Sequence, residues 1–178
     1  MATCNADSEA GHGVILNRQH RLNVKLKPLR EFELEVRRVL RLGSRDFNVC
    51  LVDDAAIRQM NRTFRGQARP TDVLAFPWKD GPDGEVGPSA AAAEMGHFLG
   101  DIAISVETAH RNARGEGHSL RNEIRWLILH GVLHLLGYNH ETDDGQMVTR
   151  ELALRDKLGL SGSFRRRRAN SRRARVQA

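Results

Sequence analysis

The sequence contains no run of about 20 apolar residues, which is the length that a membrane-spanning helix needs. Its first residues, MATCNADSEAGHG, are polar and lack the hydrophobic core of a secretion signal. Cysteine is scarce, since Cys4 and Cys50 are the only two, so there is no basis for a disulfide framework. These absences favour a cytoplasmic protein that has no membrane partner.

Acidic residues are absent from the C-terminal segment, where basic residues are concentrated. Seven arginines lie there: Arg165, Arg166, Arg167, Arg168, Arg172, Arg173 and Arg175. Removing these seven from the 28 basic residues leaves 21, against 22 acidic residues, so the rest of the chain is nearly neutral. Because the segment has no apolar periodicity, we expect residues 161–178 to form a disordered tail that attracts RNA. A solubilising terminus without a specific partner is the alternative.

The body of the chain alternates strand-like and helix-like patterns without an internal repeat. Alternating or short apolar runs predict four strands, over residues 14–26, 47–52, 71–76 and 99–105. Helical spacing predicts five helices: 29–40 with Gly43 as its C-terminal cap, 53–62 capped by Asp53, one from Ser105 or Thr108, 120–136 and 147–158. A loop is predicted between Trp78 and Gly96. The pattern favours an α+β fold, with one small mixed sheet packed against several helices.

The length of the chain fits one domain, because a chain of this size can bury roughly 70% of its unfolded surface around a single core. We therefore predict a loose N-terminal segment over residues 1–13, a single domain over 14–160 and the tail described above.

Two histidines, His130 and His134, lie four residues apart in the predicted helix over 120–136. At about 100° per residue they differ by only about 40° around the axis, so both imidazoles project from one face. His140 would lie about 240° away if the helix continued, so the chain has to turn back for it to join them. Gly137 permits that turn, because glycine readily adopts the left-handed conformation that ends helices.

Three neutral imidazoles suit zinc, which prefers nitrogen ligands in a tetrahedral shell, and they leave one position for water. Zinc lowers the pKa of a bound water to about 7 and polarises phosphoryl or carbonyl oxygens. The spacing therefore predicts one catalytic Zn²⁺ per chain, held by His130, His134 and His140 at the C-terminal end of a buried helix.

The segment HGVLHLLGYNH, residues 130–140, has the histidine and glycine spacing of the metzincin proteases, H-E-x-x-H-x-x-G-x-x-H. Gly131 stands where those enzymes carry the glutamate that acts as general base. A peptidase would need another proton acceptor, for which Glu141 and Asp72 are candidates. A metzincin-like metallopeptidase is therefore kept as an alternative function.

The same segment closely resembles the signature H-G-x-L-H-L-x-G-Y-D-H of the YbeY family of rRNA maturation factors, which has glycine at the second position. Upstream, NRTFRG (61–66) and PTDVLAFP (70–77) are similar to that family's N-x-x-Y-R-G and P-T-D-V-L-S-F-P. LGDI (99–102) is similar to its L-G-D-I. The similarity runs in the same order from about residue 14 to residue 158.

The resemblance implies an α+β fold and a zinc-dependent, single-strand-specific endoribonuclease. The family acts in 16S rRNA 3′-end maturation and ribosome quality control, which implies the 16S rRNA precursor and the small ribosomal subunit as partners. Arg65 matches the family's functional arginine, and a guanidinium near zinc can clamp a phosphate and stabilise its developing charge. Arg65 is therefore the predicted catalytic residue.

Three positions depart from the family pattern: Asn139 replaces aspartate, Ala75 replaces serine and Phe64 replaces tyrosine. Asn139 matters most, because an amide can orient an imidazole but cannot carry a proton at neutral pH. A ribosome-assembly factor in which zinc only stiffens the turn is a further alternative, of a non-catalytic class.

Overall fold

A computed structural model of the chain describes residues 13–78, 97–138 and 144–160. These residues form a four-stranded sheet with five helices. The strands are β1 (Ile15–Asn17), β2 (Asp46–Val52), β3 (Val73–Pro77) and β4 (Phe98–Ser105), in the spatial order β1-β2-β4-β3. β1, β2 and β4 are parallel, whereas β3 pairs antiparallel with β4 at one edge. The predicted α+β fold with one mixed sheet is confirmed.

The helices are α1 (Lys27–Leu40), α2 (Asp54–Arg65), α3 (Val106–Glu116), α4 (Leu120–Leu135) and α5 (Gln146–Lys157). Two predicted caps are present at their N-termini. Asp53 accepts a hydrogen bond from the Ala56 amide at 2.8 Å, and Ser105 accepts one from the Thr108 amide at 3.2 Å. Each cap satisfies an amide that the first helical turn leaves without a partner, and so fixes where α2 and α3 begin.

The two faces of the sheet carry different helices. Along β3, Val73 and Ala75 pack into the main core beside α4, whereas Leu74 and Phe76 pack into a smaller cluster with Ile57 of α2. This alternation follows from the two-residue period of a strand. α2 and α4 therefore lie on opposite faces of the edge strand. In the part of the chain that the structure describes, no helix is both long and apolar enough to cross a membrane.

The first predicted strand is wrong over most of its length, since only Ile15–Asn17 pairs with β2. Beyond it the Gln19 side chain accepts hydrogen bonds from the amides of Arg21 and Leu22, at 2.8 and 2.9 Å, which turns the chain away from the sheet. The apolar residues at 22, 24 and 26 still pack against the core, but from a loop. Their alternation therefore reflects burial rather than strand pairing.

Helix α1 ends at Leu40, as predicted, but the predicted cap at Gly43 is wrong, because the cap is Arg41, two residues earlier. Arg41 adopts the left-handed conformation there, with φ of 54°, and its amide donates to the carbonyls of Arg37 and Arg38. The N-terminal segment before residue 13, residues 79–96 of the predicted loop and the arginine tail lie outside the described residues.

Candidate metal centre

His130 and His134 lie side by side on α4, as their spacing predicts. Their Nε2 atoms are 3.2 Å apart, and the ring centroids are separated by 4.8 Å. Both side chains are half-buried, whereas the neighbouring Leu129, Val132 and Leu133 are fully buried in the core. The helix therefore presents two imidazole nitrogens that converge on one point at the boundary of the core.

The distance between the two Nε2 atoms fits a shared zinc ion. Zinc binds imidazole nitrogen at about 2.0–2.1 Å with tetrahedral angles, so two ligands of one ion should have nitrogens about 3.3–3.4 Å apart. The observed 3.2 Å between the Nε2 atoms is within about 0.2 Å of that value. The pair could thus serve as two corners of a zinc shell without rearrangement of α4.

Glu151 of α5 contacts His130 on the Nδ1 side of the ring, away from the Nε2 atom that faces His134. One carboxylate oxygen lies 3.3 Å from His130 Nδ1, while the other accepts hydrogen bonds from the Trp126 indole and from Arg155, the latter at 2.7 Å. Since a carboxylate only accepts, His130 donates its Nδ1 proton to Glu151. That bond fixes the tautomer in which Nε2 carries a lone pair, which is the usual arrangement behind a metal-binding histidine.

Sequence reasoning missed Glu151, although a signal was present. The side chain is on the apolar face of α5, four residues after Met147 and three before Leu154, and it is only 7% exposed. A carboxylate on an apolar helix face must have buried partners, because an isolated buried charge is very costly. The partners themselves, on α4, could not be read from the sequence.

Gly131 lies where α4 is pressed against the sheet. A Cβ atom there would lie 2.8 Å from Cγ2, 2.9 Å from Cδ1 and 3.1 Å from Cγ1 of Ile102 on β4. A glutamate side chain would have to enter this closed contact. The position that supplies the general base in metzincins is therefore part of the helix–sheet packing here.

α4 ends in the predicted glycine turn. Gly137 has φ of +90°, and the Tyr138 amide donates to the Leu133 carbonyl at 3.1 Å. A left-handed residue here reverses the chain direction after His134, as the proposed third ligand requires. His140 itself, with Asn139 and Glu141, lies outside the described residues, so its place in the site stays a prediction.

Arg65 lies at the exposed C-terminal end of α2, at the same end of the sheet as the C-terminus of α4. Phe64 contacts Phe76 of β3, with ring centroids 5.0 Å apart. The next strand residue, Pro77, pairs with Gly100, and a Cβ on Gly100 would lie 3.0 Å from Leu135 Cδ2 of α4. The two helices therefore end on either side of the same stretch of the edge strand.

α2 is held in that position by Asp54 at its other end. Asp54 Oδ1 accepts hydrogen bonds from Ser105 at 2.6 Å and Thr108 at 2.7 Å, and Oδ2 pairs with Arg111 at 2.7 Å. Burial raises the pKa of the Asp54 carboxyl, but the three hydrogen bonds outweigh burial and leave the pKa below its usual value. The network ties the N-terminus of α2 to α3.

Asp72, a candidate for a substitute base, lies at the opposite end of β3 from Phe76. Its side chain accepts a hydrogen bond from Asn112 at 3.1 Å, and its carbonyl accepts one from the Ser105 amide at 2.9 Å. The neighbouring Val73 pairs with Ile104, four residues along β4 from Gly100. Asp72 therefore fastens the start of β3 and is not placed to act beside His134.

A second group of residues that could bind a metal, Glu116, His118 and Glu123, connects the end of α3 to the start of α4. His118 Nε2 lies 3.2 Å from a Glu123 oxygen and 3.6 Å from a Glu116 oxygen, and all three ligand atoms lie within 4.8 Å of one another. Such a group could hold a cation. However, the His118 and Glu123 side chains are 1% and 0% exposed, which suits a structural contact better than a catalytic site with an open position.

Comparison with known proteins agrees with these features. The family model for Endoribonuclease YbeY matches residues 15–159. Proteins named Endoribonuclease YbeY from Moorella thermoacetica and Nautilia profundicola are 47% and 43% identical, covering 66% and 69% of this chain and 76% and 79% of theirs. The one from Sulfurovum sp. is 33% identical over 86% of this chain and 96% of its own.

A solved structure shows the same fold. The solution structure of TM1509 from Thermotoga maritima superposes with a TM-score of 0.53 at 27% identity, covering 82% of this chain and 88% of that one. The match of the family model to most of the chain, together with these relatives, shows that the chain belongs to the YbeY endoribonuclease family.

Proposed function

We propose that this protein is a zinc-dependent endoribonuclease that cuts single-stranded RNA, with the ion held by His130, His134 and His140. Its substrate is the 16S rRNA precursor on the small ribosomal subunit, in 3′-end maturation and quality control in the cytoplasm. The observation that carries the proposal is the convergence of two Nε2 atoms at 3.2 Å, one of them supported by Glu151. We assign His140 as the third ligand, and the turn at Gly137, which permits the chain to reverse after α4, supports that assignment.

The residues around the site have distinct tasks in this scheme. Zinc supplies Lewis acidity, which polarises a phosphoryl oxygen and lowers the pKa of a water molecule. Glu151 keeps the Nδ1 proton on His130 and leaves Nε2 as the ligand atom. The paired charges of Glu151 and Arg155 also mean that the buried carboxylate brings little net negative charge to the site.

Arg65 is assigned to the phosphate. A guanidinium can bind two phosphate oxygens at once, and its fixed positive charge stabilises the charge that develops in the transition state. Arg65 is exposed at the last residue of α2, which leaves it open to a large polymeric substrate. We assign the arginine tail to added affinity for the same polyanion, because each phosphate that an arginine neutralises releases counterions.

The test is cleavage of a short unstructured RNA by the zinc-loaded protein, with the product ends mapped. We expect cutting of the single strand but not of the same sequence in a duplex, and shortening of a 3′-extended 16S rRNA precursor. The variant His130→Ala/His134→Ala should be inactive, while His20→Ala, an exposed histidine on the loop after β1, should be fully active.

The product ends identify the nucleophile. A 5′-phosphate on the downstream fragment indicates attack by water, and a 2′,3′-cyclic phosphate on the upstream fragment indicates attack by the sugar hydroxyl. A protein that binds RNA without cutting it would contradict the proposal in favour of an assembly factor. Cleavage of casein but not RNA would contradict it in favour of a peptidase.

A further inference from the structure

The solvent face of α2 carries a stripe of arginines. Arg58, Arg62 and Arg65 follow one another at intervals of four and three residues, and all three are exposed. At about 100° per residue they lie within about 60° of one another around the axis, along about 10 Å of helix. None of the three forms an ion pair with another residue of the described ranges 13–78, 97–138 and 144–160. The stripe is therefore a concentrated positive surface.

The apolar face of the same helix continues beyond the part that the sheet covers. Ile57 is fully buried, but Phe64, seven residues later, is 67% exposed. Phe76 contacts the Phe64 ring edge-on, at an interplanar angle of 68°. This contact holds the ring in place while leaving most of its surface open to solvent. A large aromatic ring in such a position is unusual and suits a ligand with a flat apolar face.

The chain beyond α2 is also fixed in this region. Asn61, which is 2% exposed, donates from Nδ2 to the Arg69 carbonyl at 2.8 Å. That bond ties the backbone at Arg69, a further exposed arginine, to the C-terminal half of α2. Phe64 lies about 100° around the helix axis from Arg65, so its ring flanks the C-terminal end of the arginine stripe, at the end of α2 nearest the C-terminus of α4.

From this arrangement we infer that α2 is a binding track for single-stranded RNA, in which the arginine stripe follows the phosphates and Phe64 stacks on a base. The inference rests on the proposed function and names the surface that brings the strand to the metal centre. Nucleic acid fits better than an acidic protein, because it offers phosphates to the three arginines and a flat base to the single aromatic ring. A single strand is required, since the faces of the bases in a duplex are covered by the neighbouring stacked base pairs.

The track extends the site in one direction. Arg58 lies near the N-terminal end of α2, so the strand runs along the helix toward Phe64 and Arg65. In this direction the RNA first places a base on Phe64, then a phosphate at Arg65, and then reaches the edge strand β3. Phe64 contributes to the requirement for single strands, because a base can stack there only when it is out of a duplex.

The track is tested by measuring the affinity for a short oligouridine by fluorescence anisotropy at several salt concentrations. The 2′-hydroxyls of this probe are methylated, so that they cannot act as nucleophiles. Each phosphate contact in single strands contributes about −0.7 to the slope of log affinity against log salt. We expect Arg58→Gln/Arg62→Gln to make the slope shallower by about 1.4. The matched control Arg30→Gln/Arg38→Gln removes the same charge from exposed positions of α1 and should leave the slope unchanged.

The stacking role is tested with a second probe of the same backbone without bases. Phe64→Leu should bind oligouridine about fivefold or more weakly, on the scale reported for loss of one base–aromatic stack, and bind the abasic probe normally. Phe64→Tyr should bind both probes like the unchanged protein. Leu152→Ala, at an exposed apolar position on α5, is the matched control and should have no effect.

Equal slopes for the two double arginine variants would overturn the track. Equal binding of oligouridine by Phe64→Leu would overturn the stacking contact. These results are distinct from failure of the proposed function. If the unchanged protein binds in the expected manner but cuts no RNA, the nuclease proposal fails and the track stands. If all variants bind and cut RNA like the unchanged protein, the track fails and the nuclease proposal stands.

Discussion

Gly131→Ala is the substitution whose effect the structure defines most sharply. The added methyl group would lie 2.8–3.1 Å from three carbons of the Ile102 side chain, closer than carbon atoms normally approach. Overpacking of a core contact typically costs about 1–3 kcal/mol of folding free energy. Alanine also stabilises a helix by about 1 kcal/mol relative to glycine. We therefore expect a net loss of up to about 2 kcal/mol in the free energy of unfolding.

The two contributions can be separated by removing the atoms that the methyl group meets. Ile102→Ala deletes all three carbons, at a cost of about 2–5 kcal/mol on its own. In that background only the helix propensity remains, so Gly131→Ala should be stabilising by about 1 kcal/mol. The same substitution is thus expected to change sign, which corresponds to a coupling energy of about 1–3 kcal/mol in a double-mutant cycle.

Urea denaturation of the four zinc-saturated proteins measures this cycle. If Gly131→Ala stabilises the protein with Ile102 intact, or if the coupling energy is near zero, α4 is not pressed against β4 as described. Gly131→Glu provides a further comparison, because its carboxylate would be forced into the same apolar contact. That variant should be far less stable than Gly131→Ala, and it should gain no peptidase activity.

Three other predictions concern the site and its support. Glu151→Gln should weaken zinc binding by about 10–100-fold, measured in competition with a chelator, because that is the scale on which such supporting hydrogen bonds act. The amide has the same shape as the carboxylate and keeps the packing. An unchanged zinc affinity would mean that Glu151 does not support the site. Arg65→Ala should keep the zinc and the melting temperature, but its turnover should fall by about 10²-fold or more, as when a hydrogen-bond donor to the transition state is removed. Loss of zinc by this variant would instead mean that Arg65 has a structural role. Asp54 has a lowered pKa, so it contributes stability above its unfolded pKa and loses it as the pH falls through the folded value. Asp54→Asn should therefore abolish part of the fall in stability below about pH 4, and an unaltered acid limb in thermal melts would contradict that assignment.

The parts of the fold that depend on local sequence could be predicted. Asp53 caps α2, Gly137 forms the turn after α4, and the spacing of His130 and His134 places both rings on one face. Each of these depends on residues within one or two helical turns. The strand expected over residues 14–26 failed because Gln19 turns the chain, and periodicity does not register a side chain that competes for backbone amides.

The support of the site could not be predicted, because it depends on contacts between distant elements. Glu151 reaches Trp126 and His130 across 25 and 21 residues of sequence, respectively. The sequence shows that Gly131 departs from the protease pattern, but the contact with Ile102 on β4 that explains the glycine is seen only in the packed structure. The exposure of Phe64 is of the same kind, since it depends on where the sheet ends under α2.

The central claim is that a single metal ion at the histidine pair makes this protein a nuclease. Chelator-treated protein should be titrated with zinc while bound metal and the rate of RNA cleavage are measured in the same samples. Both should rise together and reach their limit at one zinc per chain, and neither should rise in His130→Ala/His134→Ala. Cleavage that persists without metal, or that appears only when a second ion fills a site such as that of Glu116, His118 and Glu123, would contradict the account.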